Sequence, residues 1–117
     1  QQRAGLDSSQ EADDTVSAVL ETLALRDLGE ERGNFAAQLP KELGEVLAVG
    51  DPEIKERFDA SDMVRRVAKH LGAPLDESQH RTHAAFSVLM EAVSDGQVES
   101  LLNALSNDYA SYAVWED

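Results

Sequence analysis

Residues 38–47 read QLPKELGEVL, and how this stretch is read decides the fold. Leu39, Leu43, Val46 and Leu47 recur at helical spacing. Pro40 falls among them, and Gly44 follows. A proline inside a helix costs about 3 kcal/mol, because it lacks the N–H and its ring clashes with the preceding turn. At the first helical position the missing N–H costs almost nothing, and the ring pushes the residue before it out of the α region. Leu39–Pro40 therefore reads as a seam. One short helix (about 30–38) ends there with Phe35 and Leu39 inward. A second begins at Pro40, runs to about Ala48 and is closed by Gly50.

Upstream, LDSSQEADDTVSAVLETLALRDLG predicts a helix over about 8–28. Asp7 and Gln10 resemble a capping box. Ala12, Val16, Val19, Leu20 and Leu23 form its apolar stripe, and Gly29 stops it. Downstream, Asp51 and Pro52 repeat the cap-and-proline logic in a short turn that reaches Phe58. Residues 60–71 then make an amphipathic helix with Met63, Val64, Val67 and Leu71 inward, stopped by Gly72. In LDESQHRTHAAFSVLMEAVSDG, Asp76 and Gln79 repeat the capping pair, and Ala85, Phe86, Leu89, Met90 and Val93 carry the stripe up to Gly96. QVESLLNAL gives a short helix, and SNDYASYAVW a last one capped by Ser106. No strand alternation occurs anywhere along the chain.

The 117 residues suit one domain, and a chain of that length buries roughly two thirds of its unfolded surface. With 42% hydrophobic but only 5% aromatic residues, the core must be built of Leu, Val and Ala. The net charge is −13, spread evenly as about −6 over residues 1–50 and −7 over 51–117. Such a field repels phosphate backbones, so neither nucleic acid nor anionic membrane is expected as a partner. Having no cysteine removes disulfides, thiolate metal sites and thiol nucleophiles. No apolar run approaches the roughly 20 residues of a membrane span, and no signal-peptide pattern is visible. The expected location is cytoplasmic.

The two halves align. LDSSQEADDTVSAVLETLA (6–24) lies over LDESQHRTHAAFSVLMEAV (75–93), with Leu6, Asp7, Ser9, Gln10, Val19 and Leu20 matching Leu75, Asp76, Ser78, Gln79, Val88 and Leu89. After a three-residue deletion, Leu39, Pro40, Leu43 and Val46 lie over Leu105, Ser106, Tyr109 and Tyr112. This predicts a single all-α domain over 1–117, a compact helical bundle of two pseudo-repeated units with six to eight helices and no sheet. Unit one covers about 1–50, its opening helix missing or truncated. Unit two covers about 58–117, and a short turn at 51–57 joins them.

The run AVLETLALRDLGEERGNFAAQLPKELGEVL, then RFDASDMVRRVAKHLG, then RTHAAFSVLMEAVSDGQVESLLNALSNDYASY, resembles the bacterial family called domain of unknown function 2267 over nearly the whole chain. The QLP-x-E-L seam after an L-E-T-L helix is the most specific part. In that family a vLetLa-R helix pairs with an aaQLPxEL seam, followed by a phenylalanine-led helix and a weaker copy of the unit. The resemblance implies a fold and no activity. This chain departs from the pattern in lacking the opening helix, and in reading LRDLGEE where eRL usually follows the L-E-T-L helix.

Candidate sites are few. His80 and His83 lie at i, i+3 on one helix face beside Asp76 and Glu77. Neutral imidazoles bind divalent metal, but no third ligand stands at fixed spacing, and a solvated polar face explains the pattern as well. Arg65, Arg66 and Lys69 form a basic cluster. It would dock an acidic partner, or simply complement the helix dipole. Glu11, Asp13, Asp14, Glu30 and Glu31 lack the D-x-D-x-D-G loop of a calcium site and suit helix N-termini. Tyr109 and Tyr112 read as core, and Trp115 as open to a partner. No catalytic constellation appears: no carboxylate pair, G-x-S-x-G elbow or phosphate-binding glycine loop. The function expected is a non-enzymatic acidic domain without cofactor, acting through protein contacts, a homodimer among them. The alternatives are a small-ligand or metal-binding module with a pocket between the units, and an enzyme with no recognisable motif.

Overall fold

The computed structural model describes residues 9–26, 28, 31–48 and 56–113, with the side chains of 9–12 and 48 left aside. Among these residues it is all-helical, with no strand. The order is α1 (Ser9–Ala24), α2 (Glu31–Gln38), α3 (Lys41–Ala48), α4 (Ala60–Leu71), α5 (Leu75–Glu91), α6 (Asp95–Ala104), a 3-10 turn (Asn107–Tyr109) and α7 (Ala110–Ala113). α1, α4 and α5 pack on one another. α3 covers α1, α7 covers α5, and α2 reaches across to α6. One apolar cluster runs through all of them, from Val19, Leu20 and Leu23 through Phe35, Met63 and Val67 to Phe86, Leu89, Leu101 and Tyr109.

The seam at Leu39–Pro40 is present, shifted by one residue from its sequence reading. α3 starts at Lys41, and Pro40 stands just before it, its carbonyl accepting the Gly44 N–H at 2.9 Å. Pro74 does the same for α5, with φ −59° and ψ 154°. That displaces the Asp76–Gln79 capping pair. Asp76 lies inside the first turn, where its carboxylate accepts only the Glu77 N–H, at 2.9 Å. Gly96 is likewise not a stop: α5 ends at Glu91, Ser94 caps α6 through the Gln97 N–H, and Gly96 is the second residue of α6. α4 matches its reading to the residue. Asp59 accepts the Asp62 N–H at 2.8 Å at the start, and Gly72 closes the end at φ +65°. Residues 51–55 of the turn expected over 51–57, Asp7 and the Gln10 side chain lie outside the described residues.

α1 stops at Ala24, four residues before its predicted end. The chain turns there because Arg26 and Leu28 go inward, 4% and 2% exposed. Arg26 Nε donates to the Phe58 carbonyl at 3.0 Å, and Nη1 to the Ala104 carbonyl at 3.2 Å. Arg32, 8% exposed, donates to the carbonyls of Ala24 (2.8 Å), Arg26 (2.8 Å) and Leu47 (3.3 Å). Apart from that of Phe58, which precedes α4, these carbonyls lie at the ends of α1, α3 and α6, helices that have no basic residue in their own last turns.

Gln38 of the seam motif also has work in the other half. Its side-chain carbonyl accepts the Ser94 N–H at 2.8 Å, at the start of α6. Buried Gln97 then donates to Glu31 at 3.0 Å, tying α2 to α6.

Gly44 is where α3 crosses α2. A Cβ there would lie 2.5 Å from the Ala36 carbonyl oxygen. Replacing a mid-helix glycine by alanine ordinarily gains up to about 1 kcal/mol. Gly44→Ala is expected instead to destabilise by about 1–3 kcal/mol, the usual cost of overpacking. Gly33→Ala in α2, where nothing lies within 4 Å, should stabilise. Urea denaturation of the two variants measures both signs.

Candidate functional site

α4 turns Ala60, Met63, Val64 and Val67 inward. Helical geometry therefore sends Arg65, Arg66, Lys69 and His70 outward on the other side. α1 runs beside α4 in the opposite sense: Glu21 meets His70, with Oε1 3.1 Å from Nε2, and the end of α1 lies toward Arg66. Between them is a groove of about 540 Å³ lined by Thr22, Leu25, Arg66, Lys69 and His70. Leu25 is 45% exposed in the turn that ends α1. Beyond His70 the groove continues as a smaller space of about 290 Å³, lined by Asp14, Ser17, Ala18, Glu21, His70 and Leu71.

The basic cluster expected from the sequence is partly committed within the fold. The Arg66 guanidinium carbon lies over the Phe58 ring, 3.9 Å from its centroid. It also pairs with Glu56 at 2.6 Å and Asp62 at 3.2 Å. The hydrogen bond it donates to Glu56 is the main cause of its raised pKa, with desolvation opposing. Arg65 pairs loosely with Asp62 at 3.6 Å, its side chain 64% exposed. Lys69 is exposed and lines the groove, with no ion pair among the described residues.

Of the remaining candidates among the described residues, Asp14 lines the far part of the groove, and His80, His83, Asp13 and Glu31 line neither part. His80 is exposed, and half-buried His83 meets the Tyr112 ring edge-on at 5.7 Å. Glu77 pairs with Arg81. Among the described residues no group of three or more His, Asp or Glu side chains could hold a metal ion. Of the acidic set, Asp13 and Asp14 are exposed on α1, and Glu31 accepts from Gln97. Glu30, the Glu11 side chain and Trp115 lie outside the described residues. Among those residues, no helix is long and apolar enough to cross a membrane.

Sequence reasoning passed over Leu25, Thr22 and His70 as groove residues. Leu25 did carry a signal: it is apolar yet off the Val16–Val19–Leu20–Leu23 stripe. Arg26 and Arg32 were also missed as buried groups. Arg26 lies just beyond the end of α1, and Arg32 in the first turn of α2, but the partner carbonyls are set by tertiary packing.

A second cleft, about 360 Å³, lies where residues 57–59 meet 103–106, with Arg26 among its lining residues. Beside it, the fully buried Tyr109 donates its hydroxyl to the Phe58 carbonyl at 2.8 Å, and the Arg26 guanidinium lies 5.3 Å from its ring centroid. Tyr109 thus forms part of the core, as its spacing predicted. Burial pushes its hydroxyl up from 10.0 to about 12. A raised folded value means the neutral phenol is favoured by folding. This contribution is complete below pH 10 and is lost as pH rises from 10 toward 12. Tyr109→Phe should cost about 1 kcal/mol at neutral pH through the lost hydrogen bond and flatten the alkaline fall. Denaturation midpoints of both proteins between pH 8 and about 12 check this.

Neither the curated proteins nor the solved structures include a match to the chain. A family model does match, described as an uncharacterized conserved protein family, DUF2267, over residues 1–112. The match spans the Leu39–Pro40 seam, the groove and the α4–α5 junction alike, and on that coverage the chain belongs to the DUF2267 family.

Proposed function

We propose that this protein is a non-enzymatic contact domain that docks a protein segment in the groove between α1 and α4. One observation carries the reading: the groove combines the exposed Leu25 with Lys69, a cation that makes no ion pair among the described residues, in a chain of net charge −13. An apolar anchor beside a charged rim is the usual anatomy of a small contact site. The described residues hold three exposed large hydrophobics, Leu25, Leu75 and Val88, and among these only Leu25 lines the groove.

The domain also reads as two copies of one helical unit. In its support, the alignment that sets Leu39 over Leu105 sets Glu31 over Gln97. Those two side chains touch each other at 3.0 Å, as equivalent residues beside a pseudo-two-fold axis do. In this reading the groove lies between the units, with α1 from the first and α4 from the second.

The test is site-directed photo-crosslinking in the native cell. A photoreactive side chain at position 25 should give protein adducts several-fold in excess of one at position 88. Adding Lys69→Glu to the position-25 protein should remove most of them. Equal yields at the two positions, or yields indifferent to Lys69→Glu, would overturn the proposal.

A further inference from the structure

Five side chains line the larger part of the α1–α4 groove, and four of them are apolar or already engaged within the fold. Leu25 offers an exposed aliphatic surface. The Thr22 hydroxyl is turned back on its own helix and donates to the Ala18 carbonyl at 2.8 Å. His70 meets Glu21, and Arg66 is held by Glu56 and Asp62. Lys69 is the one lining side chain whose charged head meets no carboxylate among the described residues. None of the five is an acid, in a chain that carries 23 acids against 10 Lys and Arg residues.

Such a lining fits an occupant with two parts. An aliphatic side chain takes Leu25 out of water, and apolar burial is the main favourable term in association. Beside it, one anion partners Lys69. A lysine ammonium is a compact point charge without the planar fork of arginine, and the Arg66 guanidinium in the same groove is already held by two carboxylates. A single carboxylate matches that charge. A phosphate-rich chain does not, because its further phosphates meet the field of a protein of net charge −13. A short acidic segment escapes most of that field, since charges beyond about 8 Å are screened at physiological ionic strength.

We infer that the segment docked in the α1–α4 groove comes from an acidic stretch of a partner protein and presents a carboxylate next to a large aliphatic side chain. The aliphatic group covers Leu25, and the carboxylate pairs with Lys69. The inference rests on the contact-domain reading and states the chemistry of its partner. The apolar contact supplies most of the affinity. The ion pair, exposed at the rim, adds little tightness and selects among partners. Reversing the charge at position 69 therefore reverses the selection and keeps the aliphatic requirement.

The test is a library of random short peptides panned in parallel on the native chain and on Lys69→Glu, each first checked for native helical circular dichroism. The groove ligands are the peptides that lose binding when Leu25→Ser replaces the parent chain. On the native chain, these should be enriched several-fold in Asp and Glu beside Leu, Ile or Met, an excess that the net charge of −13 by itself opposes. On Lys69→Glu the aliphatic preference should persist, with Lys or Arg in the acidic position.

Leu25-dependent peptides with no excess of Asp and Glu overturn the inference, as does the same charge preference on both chains. Either result leaves the contact site standing with a partner of different chemistry. If no selected peptide depends on Leu25, the inference and the contact-domain reading fall together.

Discussion

Two buried guanidinium groups hold the helix ends of this bundle together. A helix carries about half a negative charge at its carboxyl end. Arg32 gathers the carbonyls at the ends of α1 and α3, so about one unit of negative partial charge faces one positive charge. An isolated buried cation would be untenable. Here its desolvation is offset by carbonyls that would otherwise be left without donors. Arg26 plays the same part at the end of α6 and adds the Phe58 carbonyl and the Phe58 and Tyr109 rings. Through it, the end of α1 is fixed against the strand of chain that leads into α4. The chain has only 10 Lys and Arg residues against 23 acids, and of the eight among the described residues two are placed inside.

The groove follows from the same constraint. Because Arg26 is drawn inward, α1 must stop at Ala24, and Leu25 is left in an exposed turn. Because Phe58 is held by Arg26 on one side, its ring offers a platform to Arg66 on the other. That stacking and the Glu56 and Asp62 contacts fix Arg66, and the next turn of α4 presents Lys69 and His70 to α1. The site is thus an outcome of how a helix end is satisfied.

How much was legible in the sequence depended on whether the deciding interaction was local. α4 was read to the residue because both of its boundaries are local, an Asp59 cap and a left-handed Gly72. The seam at Leu39–Pro40 was legible because proline acts on its own neighbours. Its Gln38 gave no hint of capping α6, 56 residues away. The end of α1 was misplaced because Arg26 turns inward for partners at residues 58 and 104. The start of α5 was misplaced because two cap signals competed. The Pro74 carbonyl took the Ser78 N–H, leaving Asp76 two residues inside the helix. At the groove, the Arg65–Arg66–Lys69 cluster was visible on α4. Its pairing with Leu25, Glu21 and Asp14 required the packing of two helices far apart in sequence.

The central claim is that Arg32 clamps the carboxyl ends of α1 and α3 as one unit. Amide hydrogen exchange of the native chain and of Arg32→Gln tests it most directly. The account predicts a global loss of about 3 kcal/mol, the scale of breaking a buried charged network. It also predicts that amides in the last turns of α1 and α3 lose protection together, ahead of α5. Loss confined to α2, or unchanged protection at both helix ends, would contradict it.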